Sequence, residues 1–209
     1  EDALIDALRL PRAMSDKAAF LGAKGIPLGG GKVIINSNPE ADIEERKAVY
    51  ESVSRALEVL NIIFTGQDMF TTLELVLHMS EFAPNSLIGH SSMPLGGKET
   101  TPWTAEGVFS GWQGMIRANE GEKATLQGRN ISILGVGGVG SNLVGLVVAN
   151  GILAPDGENV LYVTDNRKEA LDQVRNTYRE LVEAGRIVIF DNPDDIFNAP
   201  AEIFSPNAT

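Results

Sequence analysis

Apolar residues along this chain follow two rhythms: long stretches at helical spacing, and short β-branched or fully apolar runs between them. Residues 2–21 place Leu4, Ile5, Leu8 and Met14 on one helical face, and Pro11 is expected to kink or restart that helix because its ring removes an N–H donor. The run at 32–36 predicts a short buried strand, and "NSNPEAD" supplies turn and helix-start signals after it. From Ile43 to Leu60, Val49, Val53, Leu57 and Leu60 mark a second amphipathic helix. "IIFT" at 62–65 predicts the next strand, and Thr71 with Glu74 reads as a capping box for a helix over 72–82. Residues 83–103 lack a period and are rich in Gly, Pro, Ser and Thr; loops of that length are usually functional or link domains. "TPWTAEGVFSGWQGMI" then opens a helix with Val108, Trp112, Met115 and Ile116 on one side.

The second half alternates more regularly. "ISIL" predicts a strand, followed by a helix to Asn150, then a strand "VLYVTD" ending in Asp165. A helix over about 167–184, a strand "RIVIFD" and a strand "EIFSP" complete the series. Strand–helix alternation predicts a parallel sheet with right-handed crossovers. The fold class is therefore α/β: a partial N-terminal α/β domain over 1–103 and half of a Rossmann-type parallel sheet over 104–209.

Two glycine-rich stretches carry the candidate chemistry. "GIPLGGGKVII" sets Gly29, Gly30 and Gly31 directly before Lys32. A lysine leaving such a turn lies near main-chain dipoles and is partly desolvated, the setting in which an amine is tuned for acid–base work. An ordinary β-turn beside an exposed lysine fits the local sequence equally well. A phosphate loop does not fit, since the first glycine of that motif would fall on Ile26 and the Ser/Thr after the lysine is Val33. Lys17 stands near the apolar stripe of the first helix, where it either points inward or snorkels to solvent. Asp68 falls at a strand end, where it is either a functional carboxylate or a turn residue closing a local Asx hydrogen bond.

The other stretch, "GVGGVG", places Gly135, Gly137 and Gly140 after a strand and at the opening of a helix. Such glycines allow a tight turn, close approach of a pyrophosphate, and helix–strand packing, while the helix N-terminus favours the phosphate charge. Asp165, at the end of the next strand, is placed to accept hydrogen bonds from the adenosine ribose hydroxyls. It comes later than the usual ~20 residues because "APDGEN" lengthens the preceding loop.

Composition narrows the partners. The 209 residues allow one or two domains at roughly 100–200 residues each. A net charge of −11 argues against a nucleic-acid partner, which needs a basic face. With no cysteine, disulfides and thiolate metal sites are excluded. His78 and His90 are not in a metal-ligand spacing, and His78 falls in a helical apolar pattern. No run approaches the ~20 apolar residues of a membrane helix, so no membrane partner and a cytoplasmic location are expected. The chain starts with Glu inside a helical pattern and stops just after a strand-like run, so both ends are expected to be cut from a longer protein.

Seven segments in order, "RAMSDK", "GIPLGGGKVII", "TGQDMFTT", "TPWTAEGV", "GVGGVG", "VTD" and "FSPNA", resemble the leucine/valine/phenylalanine dehydrogenase branch of the glutamate dehydrogenase superfamily over essentially the whole chain. The resemblance implies reversible, NAD-dependent oxidative deamination of an apolar L-amino acid to its 2-oxo acid and ammonia, in a homo-oligomer. Lys32 matches the catalytic lysine, Asp68 the proton-exchanging aspartate, and Lys17 the lysine that holds the substrate carboxylate beside Gly30 and Gly31. Thr104 resembles the threonine beside the nicotinamide. Gly135, Val136, Gly137, Gly138, Val139, Gly140, Ser141 and Asp165 match the dinucleotide site, and Asn207 and Ala208 the segment lining the nicotinamide ribose. Asp165 implies NAD; Arg167 nearby keeps NADP open. Against the family pattern, Pro11 interrupts a normally unbroken helix. The family's opening strands, the second half of its nucleotide domain and its C-terminal helices lie outside these 209 residues.

Overall fold

The computed structural model describes residues 2–22, 25, 29–61, 65–66, 71–89, 91–93, 100–153 and 157–207, with the backbone alone at 2–4, 6–7, 17 and 19–22. The chain divides into two compact units, Glu1–Glu99 and Thr100–Thr209. Among the described residues, no helix is long and apolar enough to cross a membrane.

The first unit holds helices α1 (Asp2–Gly22), α2 (Ile43–Leu60) and α3 (Leu73–Phe82). Of the kink or restart expected at Pro11, the restart does not occur: helix α1 runs through Pro11 as one element. Proline costs about 3 kcal/mol inside a helix, yet helix-competent residues on both sides carry the element across it. Of the described side chains on the apolar stripe of α1, Ile5, Leu8 and Met14 are exposed, while Ala18 is buried. Periodicity decides which residues share a face, not what packs on it.

Helix α2 keeps its predicted bounds because both ends are capped. The Asp42 carboxylate accepts from the N–H groups of Glu44 (3.0 Å) and Glu45 (2.9 Å), and Asn61 ends the helix in a left-handed conformation, φ 47°. Tyr50 and Leu57 of α2 pack with Leu75, Val76 and Met79 of α3 and with Leu87 and Met93. Leu60, expected on the packed face, is exposed. The cap of α3 differs from expectation. Thr72, not Thr71, accepts from the Leu75 N–H (3.4 Å), while Thr71 shares a hydrogen bond with the Tyr50 hydroxyl (3.1 Å) and Glu74 pairs with Lys47 (2.9 Å). A tertiary partner for Thr71 moves the cap by one residue. His78 lies edge-on to Phe82, centroids 5.2 Å apart, consistent with a structural role.

Residues 32–36 form no strand. Val33 and Ile35, two residues apart, still pack against the α2–α3 cluster. The alternation was legible, but a strand also needs a ladder partner; in this unit Thr65 forms a parallel bridge with Leu87. The strand expected at 62–65 otherwise lies outside the described residues.

The second unit is an α/β layer structure. Strands β1 (Ile131–Leu134), β2 (Leu161–Thr164), β3 (Ile187–Phe190) and β4 (Ile203–Pro206) form one parallel sheet in the order β3-β2-β1-β4. In register, Ile131 faces Leu161 on one side and Ile203 on the other, and Leu161 faces Ile187. Ile131, Ile133, Leu161, Val163 and Ile187 are buried, as both-face-covered parallel strands require. Helices α4 (Thr101–Glu120) and α5 (Gly138–Ala149) pack together. Helix α4 starts inside the stretch expected to be loop. It buries Ala105, Phe109, Trp112 and Ile116, while Met115, expected on that face, is exposed.

The helix expected over 167–184 is two: α6 (Lys168–Thr177) and α7 (Arg179–Glu183). The break is at Tyr178, φ −117° and ψ 36°, whose ring packs partly into the core. Burial of that ring raises the tyrosine hydroxyl's pKa above its ordinary value. A 3₁₀ segment, Pro193–Asn198, was not anticipated; it buries Ile196.

Candidate functional site

In the first unit the glycine turn is tied to α1. The Gly30 N–H donates to the Ser15 hydroxyl at 3.1 Å, and Ser15 stands two residues before Lys17 on the same helix. A Cβ at Gly30 would lie 2.1 Å from the Pro11 carbonyl oxygen and 2.6 Å from the Ser15 nitrogen, so only glycine fits there. Gly31 and Lys32 follow, both half-buried. The structure therefore lays Gly30 against the segment of α1 that carries Lys17. The Lys17 side chain and the whole of Asp68 lie outside the described residues.

In the second unit the carboxyl ends of three strands meet at the glycine-rich turn. Gly135, φ 91°, leaves β1 and donates its N–H to the Thr164 carbonyl at the end of β2 (2.8 Å). Asn207, just past β4, donates its N–H to the Leu134 carbonyl (2.7 Å), and its side chain donates to the Ser205 carbonyl (2.9 Å). The sheet order reverses between β1 and β4, which is where open α/β sheets leave a ligand crevice. A Cβ on Gly140 would come within 1.9 Å of the Gly135 oxygen, the close approach that lets α5 start directly over the turn. The first intrahelical bond of α5 runs from the Ser141 N–H to the Gly137 carbonyl (2.9 Å), so the amides of Gly138, Val139 and Gly140 are those the helix itself leaves unpaired. That terminus suits an anion. The Ser141 hydroxyl donates to the Gly138 carbonyl (3.2 Å). The start of α4 reaches the same place: a Cβ on Gly138 would be 2.8 Å from the Thr101 methyl. Thr104 is exposed one turn on, its hydroxyl donating to the Thr100 carbonyl at 3.1 Å.

Asp165 is buried just past β2 and holds the turn from the other side, accepting the Val136 N–H at 2.9 Å. Burial pushes its pKa up, but the Arg167 side chain and the N–H groups of Arg167 and Val136 outweigh that and hold the carboxyl below its ordinary range. The guanidinium meets the carboxylate through Nε (3.0 Å) and Nη2 (3.2 Å). Sequence alone placed Arg167 near Asp165; it did not disclose that the two are locked together. The only signal was an arginine two residues after the strand-end acid, at the N-cap of α6.

A carboxyl whose folded-state pKa is depressed adds stability above its unfolded value and loses it as the pH falls through the lower, folded value. The stability gap between this protein and its Asp165→Asn variant is therefore expected to be full above about pH 4 and to shrink below it. Denaturant titrations from pH 7 to pH 3 measure this; a gap unchanged across that range would refute it.

The features placed here fit a dinucleotide: a glycine-rich turn whose Val136 side chain is buried, a helix N-terminus with open amides, and a buried carboxylate at the neighbouring strand end. Ala208 lies outside the described residues.

No protein-family model matches the chain. It is 31% identical over 209 residues to phenylalanine dehydrogenase of Lysinibacillus sphaericus, covering 100% of this chain and 50% of that protein. Leucine dehydrogenase of Bacillus subtilis (strain 168) is 31% identical over 214 residues, again over 100% of this chain and 51% of the relative. L-tryptophan dehydrogenase of Nostoc punctiforme is 32% identical, with 52% of the relative covered. The chain spans about half the length of the curated relatives it matches. Among solved structures, L-tryptophan dehydrogenase from Nostoc punctiforme aligns with a TM-score of 0.56 and 27% identity over 99% of this chain and 51% of that one. A hetero-hexameric glutamate dehydrogenase from Thermus thermophilus shares the fold, TM-score 0.68 at 16% identity over 97% of this chain and 50% of that one.

Proposed function

Because the chain is similar over its whole length to leucine, phenylalanine and tryptophan dehydrogenases, we propose that it is part of an amino-acid dehydrogenase of the glutamate dehydrogenase superfamily and that the full-length protein carries out reversible oxidative deamination of an apolar L-amino acid with NAD. The balanced reaction takes the amino acid, NAD+ and water to the 2-oxo acid, ammonium, NADH and a proton. The observation that carries this reading is the convergence of Gly135, Asp165 and Asn207 at the sheet's reversal point, downstream of the Gly30–Gly31–Lys32 turn.

NAD, when bound, accepts the hydride from the substrate Cα. The chain's own residues do the rest. Lys17 holds the substrate carboxylate, and Gly30 and Gly31 allow the substrate close to the backbone. Lys32 takes a proton from the water that attacks the iminium carbon. Asp68 exchanges protons with the amino group as it leaves. Thr104 and Asn207, with Ala208, flank the nicotinamide end, while the glycine turn and α5 take the pyrophosphate and Asp165 the adenosine ribose.

An apolar substrate is favoured because the relatives are named for leucine, phenylalanine and tryptophan, whose side chains are all largely apolar. NADH formation followed at 340 nm, with a panel of L-amino acids and the full-length protein, tests the reading. Turnover is expected with aliphatic or aromatic amino acids and not with glutamate. Turnover with glutamate alone would reassign the substrate class, and none with any amino acid would leave a nucleotide-binding module.

A further inference from the structure

The carboxylate assigned to the adenosine ribose has no acceptor capacity left. Asp165 Oδ1 accepts the Arg167 N–H (2.9 Å) and Nε–H (3.0 Å), and Oδ2 accepts the Val136 N–H (2.9 Å) and Arg167 Nη2–H (3.2 Å). A carboxylate offers about four acceptor sites, and all are taken. Three of the four bonds come from Arg167, two of them from its side chain. The guanidinium also reaches over the glycine turn, since a Cβ on Gly137 would lie 3.3 Å from Nη2. It thus spans the gap between the turn and Asp165, which a ribose joined to a pyrophosphate on α5 has to enter. The Arg167 side chain is 58% exposed, so solvent can take it once its bonds to Asp165 break. A hollow of about 510 Å³ is lined by Asp165 itself with Asn166, Lys168, Leu171, Arg175 and Asp191. Arg175 is neutralised there by Asp172 and Asp191, so Lys168 adds a second cation near the carboxylate.

We propose that Arg167 is the residue that sets cofactor choice in this chain, acting as a cover on Asp165 that NAD must displace and that a 2′-phosphate can use. This rests on the dinucleotide reading above. A ribose bearing free 2′- and 3′-hydroxyls binds only once the guanidinium has left the carboxylate, so Arg167 lowers affinity for NAD. A 2′-phosphate brings its own negative charge; it meets the guanidinium directly, and this offsets the repulsion from Asp165. Discrimination between the two cofactors is therefore narrower than an uncovered aspartate would impose.

The test is equilibrium binding of NADH and NADPH to the full-length protein by nucleotide fluorescence, with no substrate added. For Arg167→Ala, NADH is expected to bind several-fold tighter and NADPH about tenfold weaker, raising the NADPH/NADH Kd ratio well beyond tenfold. Arg167→Lys keeps a cation but loses the two-point grip, so NADH should tighten while NADPH stays within about threefold. This second variant also covers the case in which the alanine protein folds poorly. A ratio unmoved in both variants, or NADH weakened in both, overturns the role given to Arg167. If the parent protein binds neither cofactor, it is the dinucleotide reading that fails.

Discussion

Replacing Lys32 by alanine in the full-length protein is expected to lower kcat/KM about 10²–10⁴-fold while leaving the NADH Kd within about twofold. The rate range is that of a positioned general acid–base group. The separation of the two effects follows from placement: Lys32 belongs to the first unit, and the glycine turn, Asp165 and Asn207 belong to the second. Lys32→Arg keeps the charge and should not restore turnover, because a guanidinium does not give up its proton near neutral pH. Steady-state kinetics on both variants, beside nucleotide fluorescence, make the comparison. Retained turnover in the alanine variant would remove Lys32 from the chemistry. Loss of NADH binding together with turnover would show instead that the substitution disturbs the fold.

Gly140→Ala is expected to cause a large structural effect in the second unit. The added Cβ would sit 1.9 Å from the Gly135 carbonyl oxygen and 2.9 Å from its carbon, both backbone atoms that have no rotamer to retreat to. Relief requires α5 to move off the end of β1, against a core in which Leu143, Val144 and Val147 are fully buried. Overpacking usually costs about 1–3 kcal/mol and more where backbone must move, so a loss of about 3 kcal/mol or more is expected. Denaturant unfolding measures it, and the same shift should abolish NADH binding. Gly107→Ala is the control: it adds a methyl in mid-helix α4 where nothing lies within 4 Å. Equal behaviour of the two variants would mean that the turn tolerates a side chain and that the close approach is unimportant.

How far the chain could be read in advance depended on where each signal lives. Helix α2 was legible to the residue because its limits are local: Asp42 caps one end and Asn61 turns the other. The strand–turn–helix at 131–149 was legible because an apolar run, a positive-φ glycine and a helix start are all sequence-adjacent. Errors came where a distant partner outbid a local one. Thr71 reads as a cap until Tyr50 is brought to it from 21 residues away. Residues 32–36 read as a strand until a ladder partner is required. Residues 167–184 read as one helix until Tyr178 turns into the core.

Sequence by itself determined the α/β class and the alternation of strands and helices in the second unit, and it named candidates for the chemistry, because periodicity, glycine and capping act over a few neighbouring residues. Only tertiary structure decided that Asn207 returns beside Leu134 from 73 positions away, that Gly30 lies on Pro11 and Ser15, and that Arg167 takes three of the four acceptor positions on Asp165. Those are distances between atoms far apart along the chain or set by side-chain rotamers, and no local preference encodes them; they exist only once the sheet and its helices have closed around a shared core.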